Sequence, residues 1–287
     1  MPKKLNGGEG IVWPDGNRIA VMVTFDFDAE SLQISRFRGR ELYFADRSRG
    51  EYGPDEGLKR CLEVLKRRSV KGTFFVPGYV MEKYPDAVRE IDANGHEIGY
   101  HGYHHETVLG LPMQEEQANM EKSEALMLAL TGKHFIGHRA PGSVMQKYTP
   151  ELIASRGYLY SSAMKTCDWA YCYQRGGKKL PLVELPTDYC FDDYTYYFYT
   201  LCEPYHRSLY NNRYVREIWQ DEFDGLAAEG DKIMVLKLHP QLIGRASRAK
   251  FLDAFISYMQ ENGAWVATCE EVARYVLKFN GFKEVRA

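Results

Sequence analysis

Apolar residues fall along this chain in short dense runs that alternate with stretches of helical periodicity. The run RIAVMVTFDFD (18–28) is almost unbroken and rich in β-branched residues, as a strand buried on both faces requires. A loop rich in Arg, Gly and Tyr follows. PDEGLKRCLEVLKRR then places apolar residues at helical spacing, with Pro54 ahead of them. GTFFVP (72–77) predicts a second strand, and PDAVREIDANG (85–95) a short helix with Pro first and Asn-Gly last. HEIGYHG (96–102), HFIGHRAPG (134–142), YLYSSA (158–163), LVELPTDY (182–189) and KIMVLKLHP (232–240) read as further strands. QEEQANMEKSEALMLALTG and YTPELIASRG are helical, and WVATCEEVARYVLK closes the chain as strand then helix.

This alternation implies a parallel sheet, and seven or eight such units over 287 residues suggest a (β/α) barrel. No internal repeat or Pro/Gly/Ser linker interrupts it, so a single domain over 1–287 is expected. Residues 167–213 are the least barrel-like, aromatic and irregular, and read as an inserted loop or subdomain.

Composition mostly excludes. The net charge is −2, from 37 basic and 39 acidic residues well interspersed, which speaks against a nucleic-acid surface or a polybasic membrane anchor. No apolar run approaches membrane-spanning length, and no apolar segment follows the two N-terminal lysines, so a cytoplasmic protein is expected. Cysteines at 61, 167, 172, 190, 202 and 269 form no C-x-x-C pair and read as free structural thiols.

In parallel α/β folds chemistry collects at the C-terminal ends of strands. Four predicted strands end there in polar clusters: DFD, HGYHHE, HRAPG and LHPQ. Asp26 and Asp28 are two apart and share one side of a strand. Two carboxylates so close raise each other's pKa unless a cation intervenes. A divalent metal would take one as ligand and leave the other as base; an acidic strand end in solvent is the plainer reading. His101 and His105 are four apart and converge if the chain turns helically after Gly102. With Asp28 they complete an Asp-His-His set, three protein ligands and one position left for water, as in catalytic zinc sites. A surface turn would account for the histidine pair alone. His239 ends a strongly apolar strand, either as a hydrogen-bonded core histidine or as an active-site acid. Arg139 is a surface cation or the partner that keeps Asp26 ionised.

TFDFDAE, HGYHHE, HRAPG and LHP, in this order, resemble the motifs of the polysaccharide deacetylase family (carbohydrate esterase family 4, NodB-like domain) over nearly the whole chain. The resemblance implies a distorted (β/α) barrel, a divalent metal and hydrolysis of an amide-type bond. Matched by motif, Asp26 is the general base, Asp28, His101 and His105 the metal ligands, Arg139 the residue orienting the base, and His239 the catalytic acid. Two departures matter. Phe27 separates aspartates that are adjacent in glycan deacetylases, and Gly142 follows Pro141 where an aromatic residue usually stands. Together with VELPTDYCFDD and HPQLIGR, these resemble an intracellular branch that includes peptidoglycan deacetylase, cyclic imidase and allantoinase-like proteins. That branch implies small cyclic amides or glycans as substrates, and the expected cytoplasmic location favours a small cyclic imide or ureide. An N-acetylated sugar or peptidoglycan is the alternative, and a catalytically silent glycan-binding or scaffold member the reading of another class. Asp-His-His suits Zn²⁺ best, with Co²⁺, Ni²⁺ or Mn²⁺ also accommodated.

Two further residues are candidates for substrate contact. The backbone N–H of Gly142 could stabilise an oxyanion, and Trp169 could line the pocket, burial being its other reading. CFDDYTYYFYT (190–200) holds six aromatics in eleven residues. It reads as a subunit interface rather than a local core, in keeping with the homo-oligomer the resemblance implies. Asp192 or Asp193 is a candidate pocket residue there.

Overall fold

The computed structural model describes residues 10–36, 44–200 and 206–283. Its strands are β1 (Ile19–Asp26), β2 (Thr73–Val76), β3 (Glu97–Tyr100), β4 (Gly137–His138), β5 (Tyr160–Ser161), β6 (Tyr171–Arg175), β7 (Lys178–Glu184), β8 (Tyr199–Thr200), β9 (His206–Arg207), β10 (Lys232–Leu238) and β11 (Ala264–Val266). The main sheet runs β10-β1-β2-β3-β4-β5-β7-β6, and every neighbouring pair is parallel except β6 and β7. β11 pairs with the first half of β1, on Ile19–Val21, and β2 with its last residues. Irregular chain closes the circle. The Ile233 N–H donates to the Asp168 carbonyl at 2.9 Å, and Asp192 bridges to Lys237. The expected distorted barrel is present, with its last seam made by single links rather than a ladder.

β1 is buried at every position, as its apolar run demands. Its odd-numbered residues Ile19, Val21, Val23 and Phe25 pack outward, in one core with Leu58, Leu65 and Phe255 of the surrounding helices. Ala20 and Met22 point inward, in a second core with Phe75, Tyr160 and Val235. Thr24 and Asp26 continue that inward row. On β10, Ile233 and Val235 lie in the inner core, and Lys237 and His239 continue their row. The lower barrel is thus an apolar plug, and the same rows turn polar towards the C-terminal ends. Gly99 and Gly137 make the plug possible, because a Cβ on either would overlap the ring of Phe75 or Tyr160.

Region 167–213 departs from expectation. β6 and β7 form an antiparallel hairpin whose Gly176 and Gly177 both have positive φ (54° and 80°), as a tight two-residue turn requires. Phe191, Tyr196, Tyr197 and Phe198 are buried in the chain's own core. They therefore make a local core and not the expected subunit interface. The reason is a helix absent from the expectation, Asn212–Glu229, whose Trp219 meets Tyr196 at 6.5 Å between ring centroids. Cys61, Cys167, Cys172, Cys190 and Cys269 are free; Cys202 lies outside the described residues. Among the described residues no helix is long and apolar enough to cross a membrane.

Candidate active site

Four strand ends meet above the plug. Asp28 comes two residues after β1, His101 directly after β3, Arg139 after β4 and His239 after β10. Asp26 and Asp28 are 1% and 0% exposed, and His101 is 1% exposed. Arg139, wholly buried, spans the barrel. Its guanidinium donates to Asp26 Oδ1 (2.7 Å), Thr24 Oγ1 (2.7 Å), Ser162 Oγ (3.0 Å) and the Ser162 carbonyl (3.3 Å), and it lies 4.1 Å from the Phe75 ring centre. Burial alone would raise the pKa of Asp26. The Arg139 guanidinium, helped by His101 and Lys237, holds it instead well below the usual carboxylate range.

His101 Nδ1 donates to the Arg139 carbonyl at 2.8 Å, which fixes the tautomer and leaves the Nε2 lone pair facing the carboxylates. Nε2 is 3.5 Å from Asp28 Oδ1 and 3.7 Å from Asp26 Oδ2. Burial pushes this imidazole down to about 4, so the ring is neutral. His105 Nε2 is 3.6 Å from Asp28 Oδ2 and His239 Nε2 3.7 Å from the same oxygen. The ligand atoms of Asp28, His101 and His105 all fall within 4.8 Å of one another. Both Asp28 oxygens and His101 Nε2 are buried without any hydrogen-bond partner. Lone pairs facing one another with no proton between them are what a cation would reconcile.

The histidines converge without the helical turn that their spacing suggested. Residues 101–106 form a bend in which Gly102 and His105 both have positive φ (72° and 56°). Glu106 holds the bend, accepting from the N–H groups of Tyr103 (3.1 Å) and His104 (2.5 Å) and from Asn119 Nδ2 (2.8 Å). His104 is turned outward and exposed, against Tyr79 and Tyr103.

His239 Nδ1 lies 2.6 Å from Asp193 Oδ1, and its backbone N–H donates to Asp193 Oδ2 at 3.1 Å. Burial would lower this imidazole, but Asp193 overrides it and raises His239 to about 9, an imidazolium at neutral pH. Lys237, two residues before His239, pairs with Asp192 Oδ2 at 3.0 Å and lies 3.7 Å from Asp26 Oδ2. Asp193 was only a pocket candidate in the sequence, and Lys237 had no role. A lysine inside the apolar run KIMVLKLH, in step with His239, was the available signal.

Trp169 does not join this cluster. Its ring lies 5.7 Å from Lys232 Nζ, at the opening residue of β10. Seven residues of extended chain, roughly 20 Å, separate that end from His239. Asp168 serves the barrel seam there, which fixes its neighbour at the wrong end. Gly142 is exposed on the rim, with φ of +60° and open space where a side chain would begin.

The family profile described as polysaccharide deacetylase matches residues 51–161, and the chain belongs to that family. A solved candidate polysaccharide deacetylase from Mycobacterium smegmatis is 32% identical, with 98% of this chain and 97% of that one covered and a TM-score of 0.88. Peptidoglycan deacetylase of Helicobacter pylori is 26% identical over 93% of this chain and 99% of its own. PuuE allantoinase shares the fold at a TM-score of 0.82 and 22% identity, with 97% of this chain and 96% of that one covered.

Proposed function

We propose that this protein is a metal-dependent hydrolase of non-peptide C–N bonds acting on a small cyclic imide or ureide. The observation that carries the reading is the meeting of two partnerless Asp28 oxygens with the partnerless Nε2 of His101. Asp28, His101 and His105 would hold a divalent cation, and one carboxylate with two neutral imidazoles suits Zn²⁺ best. Such an ion, when bound, supplies a more acidic water and a polarised carbonyl. Asp26, oriented by Arg139, takes the proton of the attacking water as the C–O bond forms. His239, held by Asp193, gives its Nε2 proton to the departing nitrogen as the C–N bond breaks. An amide nitrogen leaves poorly unless protonated, so this transfer is worth about 10²–10⁴ in rate.

The small substrate is supported by burial: His239 is 4% exposed and the carboxylates less, which leaves little access for a polymer. Gly142 offers no side chain to stack on a sugar. The names of the relatives favour a second reading, N-acetyl-sugar deacetylation. A paired assay on zinc-loaded protein separates them: ring-opening of succinimide and hydantoin followed by loss of ultraviolet absorbance, against acetate release from an N-acetylated chitooligosaccharide. Ring-opening that Asp26→Asn abolishes is expected. Acetate release without ring-opening would overturn the choice of substrate.

A further inference from the structure

Lys165 stands four residues beyond the last residue of β5, on the segment whose Ser162 binds Arg139. The charges that act on it through space are Lys237, Asp188, Asp192 and Glu184. All three acids are already engaged. Glu184 accepts from the N–H groups of Ala163 and Met164 and from Tyr173, Asp192 from Lys237 and the Tyr194 N–H, and Asp188 from the Cys190 N–H. Among the described residues Lys165 forms no ion pair. Its ammonium has one long hydrogen bond, 3.5 Å to the Ala163 carbonyl, and rests 4.5 Å from the ring centre of the exposed Tyr189.

This lightly held, half-buried ammonium lies between two segments of the candidate site, the one whose Ser162 binds Arg139 and the one whose Tyr189 leads to Asp192 and Asp193. Lys165 is pushed below the ordinary lysine range by burial and then by Lys237, so an arriving anion would relieve it. The site's own charges leave room for one. Asp26, Asp28, Asp192 and Asp193 face Arg139, Lys237 and the His239 imidazolium, and a divalent cation would bring that cluster to +1; Glu184 and Asp188, which balance Lys165 in charge, already accept from other donors.

We infer that Lys165 anchors a carboxylate that the substrate carries beside its scissile amide. The inference rests on the proposed reaction and narrows its substrate class to anionic imides or ureides. A charge-assisted hydrogen bond in a partly dry setting holds the carboxylate and presents the ring carbonyl to Asp26 and His239.

Hydantoin and hydantoin-5-acetate, which differ by the acidic arm alone, test it on zinc-loaded wild type, Lys165→Gln and Lys165→Arg. In the wild type KM for the carboxylated ring should lie about tenfold or more below that for hydantoin. Lys165→Gln should bring the ratio to about one, and Lys165→Arg should restore it. A wild-type ratio near one overturns the inference. So does an equal loss on both rings in Lys165→Gln, as a purely structural cation–π pair with Tyr189 would give. If the wild type opens neither ring, the proposed reaction has failed, and calorimetric titration of hydantoin-5-acetate into the zinc-loaded proteins decides. Binding weakened about tenfold by Lys165→Gln supports the anchor, whereas equal binding, or none to the wild type, removes it.

Discussion

The Asp193 carboxylate holds His239 twice, at the ring Nδ1 (2.6 Å) and at the His239 backbone N–H (3.1 Å). One carboxylate thereby fixes the ring's orientation, its tautomer and its charge. The residue supplying it follows a 3₁₀ turn at Tyr189–Phe191 and opens the short helix Asp193–Tyr197, so the irregular segment closing the barrel is also the one that charges His239.

A pH prediction follows with a definite sign. In the proposed reaction His239 acts as an imidazolium, and Asp193 raises it to about 9 from the ordinary 6.5. Activity should persist well above the ordinary imidazole range and fall as pH rises through the raised value. In Asp193→Asn the alkaline limb should move down by about one to two pH units, with kcat at pH 8 reduced about two- to tenfold. A pH–rate profile unmoved by the substitution contradicts this role.

Arg139 cannot be exchanged for another cation. A lysine in its place would keep the charge but lose the fork to Thr24, Asp26 and Ser162, so Arg139→Lys should lower kcat about tenfold or more with little change in KM. Arg139→Met strips a buried carboxylate of its main partner and should cost about 3–5 kcal/mol in unfolding free energy, read by denaturant titration. An Arg139→Met protein as stable as the wild type would show that Lys237 suffices for Asp26.

Much of this site could be read in the sequence, because its residues end strands whose apolar runs are plain. The inward row of β1 runs Ala20, Met22, Thr24, Asp26, and a period of two predicts it. The bend that brings His101 and His105 together was not readable, since Glu106 and two positive φ values make it rather than a helical turn. Trp169 misled because position after a strand-like run does not say which end of the barrel a residue occupies. The aromatic stretch differs from its expectation because the helix Asn212–Glu229 covers it, with Val215, Trp219, Phe223 and Leu226 at helical spacing.

Glycines in the helical stretch Phe44–Arg68 should matter as much as some side chains of the candidate site. This stretch passes through a π-turn at Gly53–Gly57 and packs against the chain that follows β1 and the chain that follows β10. A methyl group at Gly50 would overlap the Glu30 backbone, and one at Gly57 the Pro240 carbonyl. Gly57→Ala should cost about 1–3 kcal/mol and lower kcat by displacing His239. A Gly57→Ala protein with wild-type kcat would show that the loop tolerates the shift.

The barrel's lower end makes a separate pH prediction. Glu97 accepts from Tyr160, Thr73 and the Glu270 N–H, yet burial raises it to about 7 from 4.5. A raised folded-state pKa gives stability that is full below the unfolded value and is lost as pH rises through the folded one. Wild type should therefore lose stability between about pH 5 and 7 relative to Glu97→Gln, by at most about 3 kcal/mol. Parallel melting curves for the two proteins across that range would contradict it.

The most direct test follows bound zinc and ring-opening in one titration of chelated protein. The rate should rise in proportion to the zinc bound and level off at one equivalent, and Asp28→Asn and His101→Ala should neither bind nor react. The folded protein should also gain about 2.7 kcal/mol of stability at a hundredfold excess over Kd. Ring-opening at full rate in the chelated protein, or an unchanged zinc stoichiometry in Asp28→Asn, would show that the cluster of Asp28, His101 and His105 is not the seat of the reaction.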